Sequence, residues 1–472
     1  IPIDPSTIVT AQKGTNGFWL DFADSSDLGN DVSGNNNDFT ATSITSANAT
    51  LDNPSDSGSK SNYCTWDSNN RQVPNGNDII LSNGNLQLLK GSGSSNPSIK
   101  STLPFHGKQY VECKMIANSS PVGNRQNIGI IEYNADLATG FTPSSNATFS
   151  GIDWPRLTPW SDGSAGSIGS DLTNGQTVCV AFSEDDQKWW YRVNDGSWIG
   201  GGDPTVPSST PSGTFTSGKT YLWSGFVSDT NDENITDFGQ NGYAYTPPSG
   251  YLPVNTINMT TPTITDPSLH FSAIGYTGNG EGQRVGGFIP FTDSKTVADS
   301  ARFDDGGPDY LERTFATGTT TKWTFSCWIK RTALGATNGE MRIFGASQAS
   351  HIYLTADDKI YWDVATAAGA TAFYKRTTRV FQNTSRWFNL VCAYDTNASG
   401  GASEYMRIYI DGVEVTEVSS SPPSPAGYSN NAINTNILHT IGRRTAAQGT
   451  PGMDLDCYMA EVVFINNAQL TP

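Results

Sequence analysis

Residues 323–330 read WTFSCWIK, and this stretch decides the fold class. Its apolar side chains recur at every second position, at Trp323, Phe325 and Cys327, as they do on a β-strand that buries one face. Residues 388–395, FNLVCAYD, repeat the pattern. An amphipathic helix would instead place its apolar residues three and four positions apart. The two stretches therefore predict buried strands of a β-sheet.

The rest of the chain carries the same signal. Residues 108–116, KQYVECKMI, alternate between polar and apolar, and residues 176–182, QTVCVAF, are typical of a buried strand. Turn residues suited to positive φ follow strand-like stretches at 194–196, NDG, and at 411–412, DG, and so predict β-hairpins. Helical periodicity is nearly absent. The predicted fold class is all-β.

The composition fits short strands joined by long loops. Charged residues make up 15% of the chain and aromatic residues 11%, and there are 48 glycines. At 472 residues the chain is too long for one ordinary hydrophobic core, and its length predicts two domains, each with its own core. Prolines and threonines accumulate between residues 245 and 268, which predicts an extended linker between the two domains.

The net charge of −17 excludes several classes of partner. Nucleic-acid phosphates and anionic membranes attract clustered Lys and Arg, so we expect no nucleic-acid partner and no adhesion to an anionic membrane. No apolar run is long enough to cross a bilayer, so membrane insertion is not expected, and no signal peptide is visible. The start at IPIDPST, without Met, and the stop at LTP suggest that both ends are cut.

The cysteines predict buried thiols rather than metal ligands or bridges. No two of them form a CxxC pair, so a zinc ribbon is not expected. Cys327 and Cys392 lie in phase with apolar neighbours on their strands, where a free cysteine behaves as a small hydrophobic side chain. Disulfides are the alternative, because the count of six is even.

The sequence offers no catalytic motif in its proper context. Residues 213–220, GTFTSGKT, match the phosphate-loop pattern, but a strand-like stretch follows them where a helix is needed. The four histidines are far apart, and there is no run of alternating Glu and Asp of the kind that glycoside hydrolases use. We therefore expect a protein that is not an enzyme.

Residues 17–255 resemble a SPRY-type β-sandwich. The resemblance rests on four stretches in the family's order: GKQYVECKMI, NIGIIEY, GQTVCVAFSEDDQKWWYRVNDGSWI and ITDFGQNGYAYTPPSGY. The family's N-G-x-W hairpin varies here by one residue, since residues 194–198 read NDGSW. The resemblance implies an antiparallel sandwich over this part of the chain.

Residues 300–472 resemble a laminin-G-like, concanavalin A-like jelly roll. The motifs are SARFDDGGPDYLERT, KWTFSCWIKR, SRWFNLVCAYD, RIYIDGVEV, HTIGRR and YMAEVVFINNAQLTP. Together the two resemblances imply two tandem antiparallel β-sandwich domains. Residues 1–16 would form a lead segment, and residues 256–299 an extended Pro/Thr-rich linker with room for a small hairpin.

The opening GTNGFWLDFADSSDLGNDVSGNNNDFT, with this pairing of domains, resembles tail or fibre-type structural proteins of marine bacteriophages. The resemblance implies a virion surface protein, extracellular and homo-oligomeric, that binds host-surface carbohydrate for attachment. Three alternatives stay open: a capsid or tail decoration protein that contacts other virion proteins, a bacterial surface adhesin, and a polysaccharide depolymerase.

Two tryptophans are the candidates for sugar binding. Trp154 and Trp160 lie in the Pro-rich stretch GIDWPRLTPWSDGS, with Asp153, Arg156 and Asp162 beside them. An exposed aromatic ring can stack on a sugar while polar neighbours bind its hydroxyls, and loops commonly carry such sites. The alternative is that both tryptophans fill the end of the sandwich.

Two oxygen-rich stretches are candidates for calcium, which takes roughly six to eight oxygen ligands from flexible loops. The candidate ligands are Asp31, Asn35 and Asp38 in the first stretch and Asp304, Asp305 and Asp309 in the second. Neither stretch has EF-hand spacing, and turns in which Asp and Asn bind their own backbone are the alternative. No other cofactor is expected.

Overall fold

The computed structural model consists almost wholly of β-strands. It describes residues 4–472 apart from 9, 56, 72–78, 93–96, 120–125, 138–147, 168, 170, 260–296, 337–338, 348–349, 366–370, 400–403, 422–431 and 449–450. In this part of the chain the only α-helix is Thr10–Lys13, and no helix is long and apolar enough to span a membrane. The strands pair in antiparallel sheets, so the predicted all-β fold class is confirmed.

In chain order the strands are β1 Phe18–Leu20, β2 Thr40–Thr42, β3 Ala49–Thr50, β4 Trp66–Arg71, β5 Ile79–Ser82, β6 Gln87–Lys90, β7 Ser98–Pro104, β8 Lys108–Ala117, β9 Gln126–Glu132, β10 Ser150–Trp154, β11 Thr158–Ser161, β12 Ser164–Ala165, β13 Thr177–Ser183, β14 Lys188–Val193, β15 Gly213–Thr214, β16 Tyr221–Val227, β17 Glu233–Asp237, β18 Ser300–Phe303, β19 Tyr310–Thr314, β20 Lys322–Arg331, β21 Glu340–Ser347, β22 Ser350–Thr355, β23 Ile360–Ala365, β24 Thr371–Thr377, β25 Trp387–Asp395, β26 Met406–Ile410, β27 Val413–Glu414, β28 Val418–Ser421, β29 Leu438–Ile441 and β30 Cys457–Asn466.

The chain divides into two compact units. The split unit comprises Ile1–Lys60 together with Thr260–Pro472, and the inserted unit is the continuous stretch Ser61–Met259. The sequence predicted instead two tandem domains with a boundary at residue 17. Most of the linker predicted at 256–299 lies outside the described residues.

The split unit contains two sheets that pack around one core. Sheet A has the order β27-β26-β25-β20-β30-β18-β3, with β1 also paired to β30, and sheet B has the order β2-β19-β29-β21-β22-β23-β24-β28. Trp323, Phe325 and Cys327 have no exposed surface, as their alternation predicted, but the residues between them are buried too, so β20 is covered on both faces rather than on one. Phe325 of sheet A stacks on Phe344 of sheet B with ring centroids 4.7 Å apart. Burial of such large rings is a main source of stability.

The N-terminal segment completes both sheets of the split unit. Phe18 of β1 lies opposite Phe464 of β30, and their rings stack with centroids 5.9 Å apart. Strand β2 pairs with β19, and β3 pairs with β18. Strands this short are not stable without a partner sheet. Residues 18–50 therefore belong to the split unit, which corrects the boundary predicted at residue 17.

A buried ion pair joins the N-terminal segment to β20. Lys330 Nζ lies 2.7 Å from Asp52 Oδ2, and both side chains are 0% exposed. The indole Nε1 of Trp387 donates to the other oxygen, Asp52 Oδ1, at 2.9 Å. Buried charges are tolerated when they are paired and hydrogen-bonded. Lys330 and Asp52 therefore each compensate the buried charge of the other.

The inserted unit is a second sandwich. Sheet C has the order β12-β11-β10-β9-β16-β7-β4, and sheet D has the order β15-β14-β13-β8-β17-β6-β5. Trp223 of sheet C packs edge-on against Phe182 of sheet D, with ring centroids 5.3 Å apart. The aromatic side chains that the sequence analysis noted are therefore largely core residues.

The two ends of the inserted unit are hydrogen-bonded to each other. Cys64 N donates to Val254 O at 2.9 Å, and Thr256 N donates to Asn62 O at 3.0 Å. The first and last segments of the inserted unit therefore lie next to each other.

All six cysteines are buried free thiols, which confirms the prediction made from their strand positions. The hairpin predicted at residues 411–412 is also confirmed, since Ile410 of β26 lies opposite Val413 of β27. The turn predicted at 194–196 forms, but residues 197–199 after it are not a strand.

Candidate functional site

The outer face of sheet B carries a row of aromatic and charged side chains. Ile352, Leu354 and Trp362 of β22 and β23 point into the core and have no exposed surface. The residues between them point outward, since side chains alternate along a strand. In the register of the sheet, Tyr353 lies directly opposite Tyr361. We define the tyrosine face as His351, Tyr353, Tyr361, Asp363 and Tyr374, with Glu340, Arg342 and Arg376 at its margins.

The rings of the tyrosine face form a ladder across β22, β23 and β24. Successive ring centroids from His351 through Tyr353 and Tyr361 to Tyr374 are 4.8, 4.9 and 5.0 Å apart. Because the rings stack on one another, their edges and hydroxyls, rather than their faces, turn outward. None of the three half-buried tyrosines hydrogen-bonds through its hydroxyl to another described residue. Within the described part of the chain, the ladder therefore presents a row of phenol groups that bind no other side chain or backbone group.

Burial raises the pKa of two of these phenols, those of Tyr353 and Tyr361. It raises the pKa of Tyr361 to about 12, with a smaller contribution from the negative charge of Asp363. The pKa of Tyr353 is raised further by the same two causes. Both hydroxyls are therefore neutral at physiological pH, where each can donate one hydrogen bond and accept others.

His351 lies between two carboxylates at one end of the ladder. Its Nε2 is 3.0 Å from Glu340 Oε2, and its Nδ1 is 3.2 Å from Asp363 Oδ1. Burial raises the pKa of Asp363. Burial also acts to raise the pKa of Glu340, but the hydrogen bond and charge of His351 outweigh it and lower that pKa overall. Glu340 is therefore the more readily ionised of the two.

A buried arginine lies beneath this end of the face. Arg342 has no exposed surface, and burial lowers its pKa to about 10. A Cβ at position 345 would lie 2.8 Å from the Cβ of His351 and 3.1 Å from Arg342 Nη1. The absence of a side chain on Gly345 is therefore what lets the arginine lie flat beside the histidine.

The arrangement suits hydrogen bonding to a hydroxyl-rich ligand. It places neutral hydroxyls beside carboxylate oxygens and guanidinium N–H groups, the combination that recognises polyols by donating and accepting together. Glycoside hydrolysis needs two carboxyl groups on either side of the scissile bond. Here the imidazole of His351 occupies the space between Glu340 and Asp363, so these two carboxyl groups do not flank an open site.

The structure separates the two tryptophans singled out from the sequence. Trp154 of β10 is packed in the core with no exposed surface, so it cannot stack on a sugar. Trp160 of β11 is half-buried on the outer face of sheet C. The Pro-rich stretch is the hairpin β10–β11, with Arg156 at its turn. Asp162 follows β11 and accepts a hydrogen bond from Thr216 Oγ1 at 2.9 Å.

Asp153 and Trp160 share the outer face of sheet C with Asn127. Asp153 lies opposite Asn127 in the register of β9 and β10, and both are buried. Five buried polar atoms on this face make no well-aligned hydrogen bond within the described residues. They are the two carboxylate oxygens of Asp153, the amide oxygen and nitrogen of Asn127, and the indole nitrogen of Trp160. Burial raises the pKa of Asp153 well above its ordinary value, and the nearby Asn127 and Trp160 offset only part of the rise.

We expect the Asp153→Asn variant to stabilise the inserted unit at neutral pH. The pKa of Asp153 is higher in the folded than in the unfolded protein, so its stabilising contribution is complete below its ordinary pKa of 3.8 and is lost as the pH rises through the raised value. Asparagine keeps the shape and cannot ionise. The gain in unfolding free energy should be about 1–3 kcal/mol at pH ~8 and close to zero at pH ~3.5.

Differential scanning calorimetry at both pH values measures this effect. Asp185→Asn, at an exposed aspartate of the same unit, is the matched control and should change the melting temperature at neither pH. A gain for Asp153→Asn that does not grow with pH would contradict the assignment.

The first calcium candidate is a turn held by its own carboxylate. Asp31 accepts the backbone N–H of Trp19 at Oδ1 and that of Asn37 at Oδ2, each at 2.8 Å. Asp38 Oδ1 accepts the backbone N–H of Asp31 at 2.9 Å, and the Asn35 amide donates to two backbone carbonyls. Asp31 Oδ1 also accepts the backbone N–H of Ser33 at 2.8 Å, the bond of an Asx turn, so these side chains bind the backbone of their own loop and its neighbours.

The second calcium candidate gathers further carboxylates. Burial, followed by the charges of Asp304 and Asp454, raises the pKa of Asp305. Burial, followed by the charge of Asp305, raises the pKa of Asp456. Asp309 Oδ2 accepts the backbone N–H of Asp304 at 3.3 Å. Among the described residues, no three His, Cys, Asp or Glu side chains are placed to hold a metal ion. Calcium binding stays a prediction from the sequence.

Sequence reasoning missed the tyrosine face. Residues 351–363 read HIYLTADDKIYWD, in which polar or charged residues alternate with apolar ones on both sides of a turn. That alternation predicts a hairpin with one outward face, on which aromatic cross-strand pairs are common. The outward-facing tyrosines and histidine of this hairpin are the sequence signal from which the tyrosine face could have been predicted.

The strands that carry the tyrosine face match a known sequence family. Residues 305–470 match the laminin-G-type family described as the concanavalin A-like lectin/glucanases superfamily. These residues are similar to that family. The match covers β19 to β30 and leaves out β18 and β1 to β3, although in the structure β18, β1 and β2 pair with the matched strands and β3 pairs with β18. No curated protein matches the chain.

Several solved structures are similar to part of the chain. The SPRY domain of human HERC1 is 11% identical with a TM-score of 0.27, and the match covers 36% of this chain and 96% of that one. The TRIM65 PSpry domain is 12% identical with a TM-score of 0.26, over 37% and 92% of the two chains. The receptor-binding domain of botulinum neurotoxin mosaic serotype C/D is 11% identical with a TM-score of 0.26, over 38% and 40%.

Proposed function

We propose that the protein is a non-enzymatic carbohydrate-binding protein of a virion surface, part of a fibre or appendage, that attaches the particle to host-surface glycans through the tyrosine face. The virion setting is supported by the resemblance of the opening and of the domain pairing to phage tail proteins. The observation that carries the binding role is the ladder of Tyr353, Tyr361 and Tyr374, whose hydroxyls have no partner among the described residues.

A rigid sheet is a suitable platform for this task. The ladder is anchored by β22, β23 and β24, whose inward residues Leu354, Trp362 and Phe373 are buried in the core. Side chains held in this way lose little conformational freedom when a ligand binds, which favours affinity. Each shallow site would be weak, and several copies in one oligomer would bind a repetitive surface with much higher avidity.

We expect loss of the ladder hydroxyls to weaken glycan binding. The double variant Tyr361→Phe/Tyr374→Phe keeps the stacked rings and removes two hydroxyls. A net hydrogen bond contributes about 0.5–1.5 kcal/mol, so the pair should weaken binding by about tenfold or more. The measurement is a glycan-array screen of the purified chain, with and without calcium, followed by titration calorimetry with the best ligand.

The control is Tyr133→Phe, at a 64% exposed tyrosine of the inserted unit, which should leave affinity unchanged. Binding that survives the double variant but is lost on Trp160→Ala would move the site to sheet C. An absence of binding to every glycan, for a protein that copurifies with virions, would favour the decoration role. Loss of binding in chelator would instead point to the Asp-rich turns.

A further inference from the structure

We infer that the tyrosine face takes a neutral glycan and discriminates against one that carries sulfate or carboxylate groups. The inference rests on the proposed function, because it names the class of carbohydrate for the same face. It is carried by the ionic contacts around the ladder. The described cations there, Arg342, Arg376, Arg444 and Lys359, each already face a carboxylate of the protein.

The inner cations share one partly buried carboxylate, that of Glu340. Glu340 lies 3.5 Å from Arg342 Nη2 and 3.9 Å from Arg444 Nη1, and its Oε2 lies 3.0 Å from His351 Nε2. A sulfate that drew any of these groups away would leave Glu340 short of partners at a mostly buried position. Removing one partner from a buried ionic cluster costs more free energy than a new ion pair at an exposed position contributes.

The outer cations are held in the same way at the rim. Arg376 Nη2 lies 2.6 Å from Asp357 Oδ1 and 2.5 Å from Oδ2, and Lys359 Nζ lies 3.0 Å from Oδ2. Hydrogen bonds from Thr355 first, and then from Lys359 and Arg376, hold the pKa of Asp357 well below its usual range. Asp357 is therefore ionised and competes with any anionic ligand for both cations.

The local charges nearly balance, while the chain as a whole is strongly acidic. Four cations face the three carboxylates Glu340, Asp357 and Asp363, so the face has little net charge with which to select an anion. The net charge of −17 repels polyanions at longer range. The groups left for recognition are the neutral hydroxyls of the ladder.

The ladder also determines the direction in which a bound glycan chain lies on the sheet. His351 and Tyr353 lie on the same strand, β22, whereas Tyr353, Tyr361 and Tyr374 lie on three neighbouring strands with successive ring centroids 4.9 and 5.0 Å apart, so the tyrosine hydroxyls run across β22, β23 and β24. A chain of several sugars laid across the strands meets every rung, whereas a monosaccharide meets one or two. Affinity is therefore expected to rise from the monosaccharide to the tetrasaccharide of the same sugar.

The test compares one neutral polysaccharide that binds on the array with the same polymer after partial sulfation, by affinity electrophoresis and calorimetry. The neutral form should bind at least tenfold more tightly, with little dependence on added salt. Asp357→Asn, which frees Arg376 and Lys359 at an exposed position, should strengthen binding of the sulfated form several-fold and leave the neutral form unchanged. Asp185→Asn makes the same change of charge in the inserted unit and should affect neither.

In the opposite outcome, the unaltered protein binds the sulfated polymer as tightly as the neutral one or more tightly, with an affinity that falls as salt is added. That result would overturn this inference and leave the proposed glycan-binding function in place. An Asp357→Asn variant that gains nothing for the sulfated form would also overturn it, since the ion pair would not be what excludes the anion. If no neutral or charged polymer binds, the proposed function fails and this inference fails with it.

Discussion

Replacing Asp52 with alanine is expected to lower the unfolding free energy of the split unit by about 3–5 kcal/mol, because it removes the carboxylate that pairs with the buried ammonium group of Lys330. Neither side chain has exposed surface, and Asp52 also accepts the indole N–H of Trp387. The inserted unit should keep its own transition. Chemical denaturation, followed separately for the two units by hydrogen exchange, measures the difference.

A partly exposed ion pair of the same unit provides the control. Lys60 and Asp299 lie 3.0 Å apart with side chains 29% and 21% exposed, so Asp299→Ala should cost about 1 kcal/mol or less. The double variant Asp52→Leu/Lys330→Met removes both buried charges and should recover much of the stability that Asp52→Ala loses. If Asp52→Ala costs no more than the control, the N-terminal segment is not an integral part of this core.

Trp154→Ala is expected to lower the unfolding free energy of the inserted unit by about 3–5 kcal/mol, as large-to-small changes of buried aromatic residues do. Trp154 lies in the core with no exposed surface. Loss of glycan binding in this variant would therefore report unfolding and not a lost contact. A thermal unfolding scan of the variant, taken before any binding assay, measures the effect.

Trp160→Ala is the matched comparison on the same hairpin. Trp160 is half-buried on the outer face of sheet C, so its removal should cost clearly less stability than the removal of Trp154. Equal losses for the two variants would contradict the assignment of one tryptophan to the core and the other to the outer face.

The alternation of side chains was sufficient to predict the strands and much of the core. Trp323, Phe325 and Cys327 are buried as their spacing indicates, because a period of two leaves only one choice of face once one face is apolar. The membership of β1 to β3 could not be predicted in this way. Their partners β30, β19 and β18 lie hundreds of residues later in the chain, and a local pattern carries no information about a distant partner.

The candidate site was harder to predict because both faces of its hairpin are aromatic. Tyr361 points outward and Trp362 inward, and composition alone does not tell which ring lies in the core. The same ambiguity affected Trp154, which the prolines around it suggested to be in a loop. The structure places it on a strand, where its neighbour Asp153 takes the outward position.

The hydrogen-bonded ends of the inserted unit also bear on how the chain reaches its folded state. Pairing β1 with β30 requires closure of a loop that spans nearly the whole chain, and such distant contacts form slowly. The inserted unit is continuous and can fold during synthesis, before β30 has been made. Once folded, it brings Asn62 and Thr256 together, and the length of disordered chain between β3 and β18 shrinks to the residues that flank the unit. The entropic cost of pairing β1 to β3 with their distant partner strands falls accordingly.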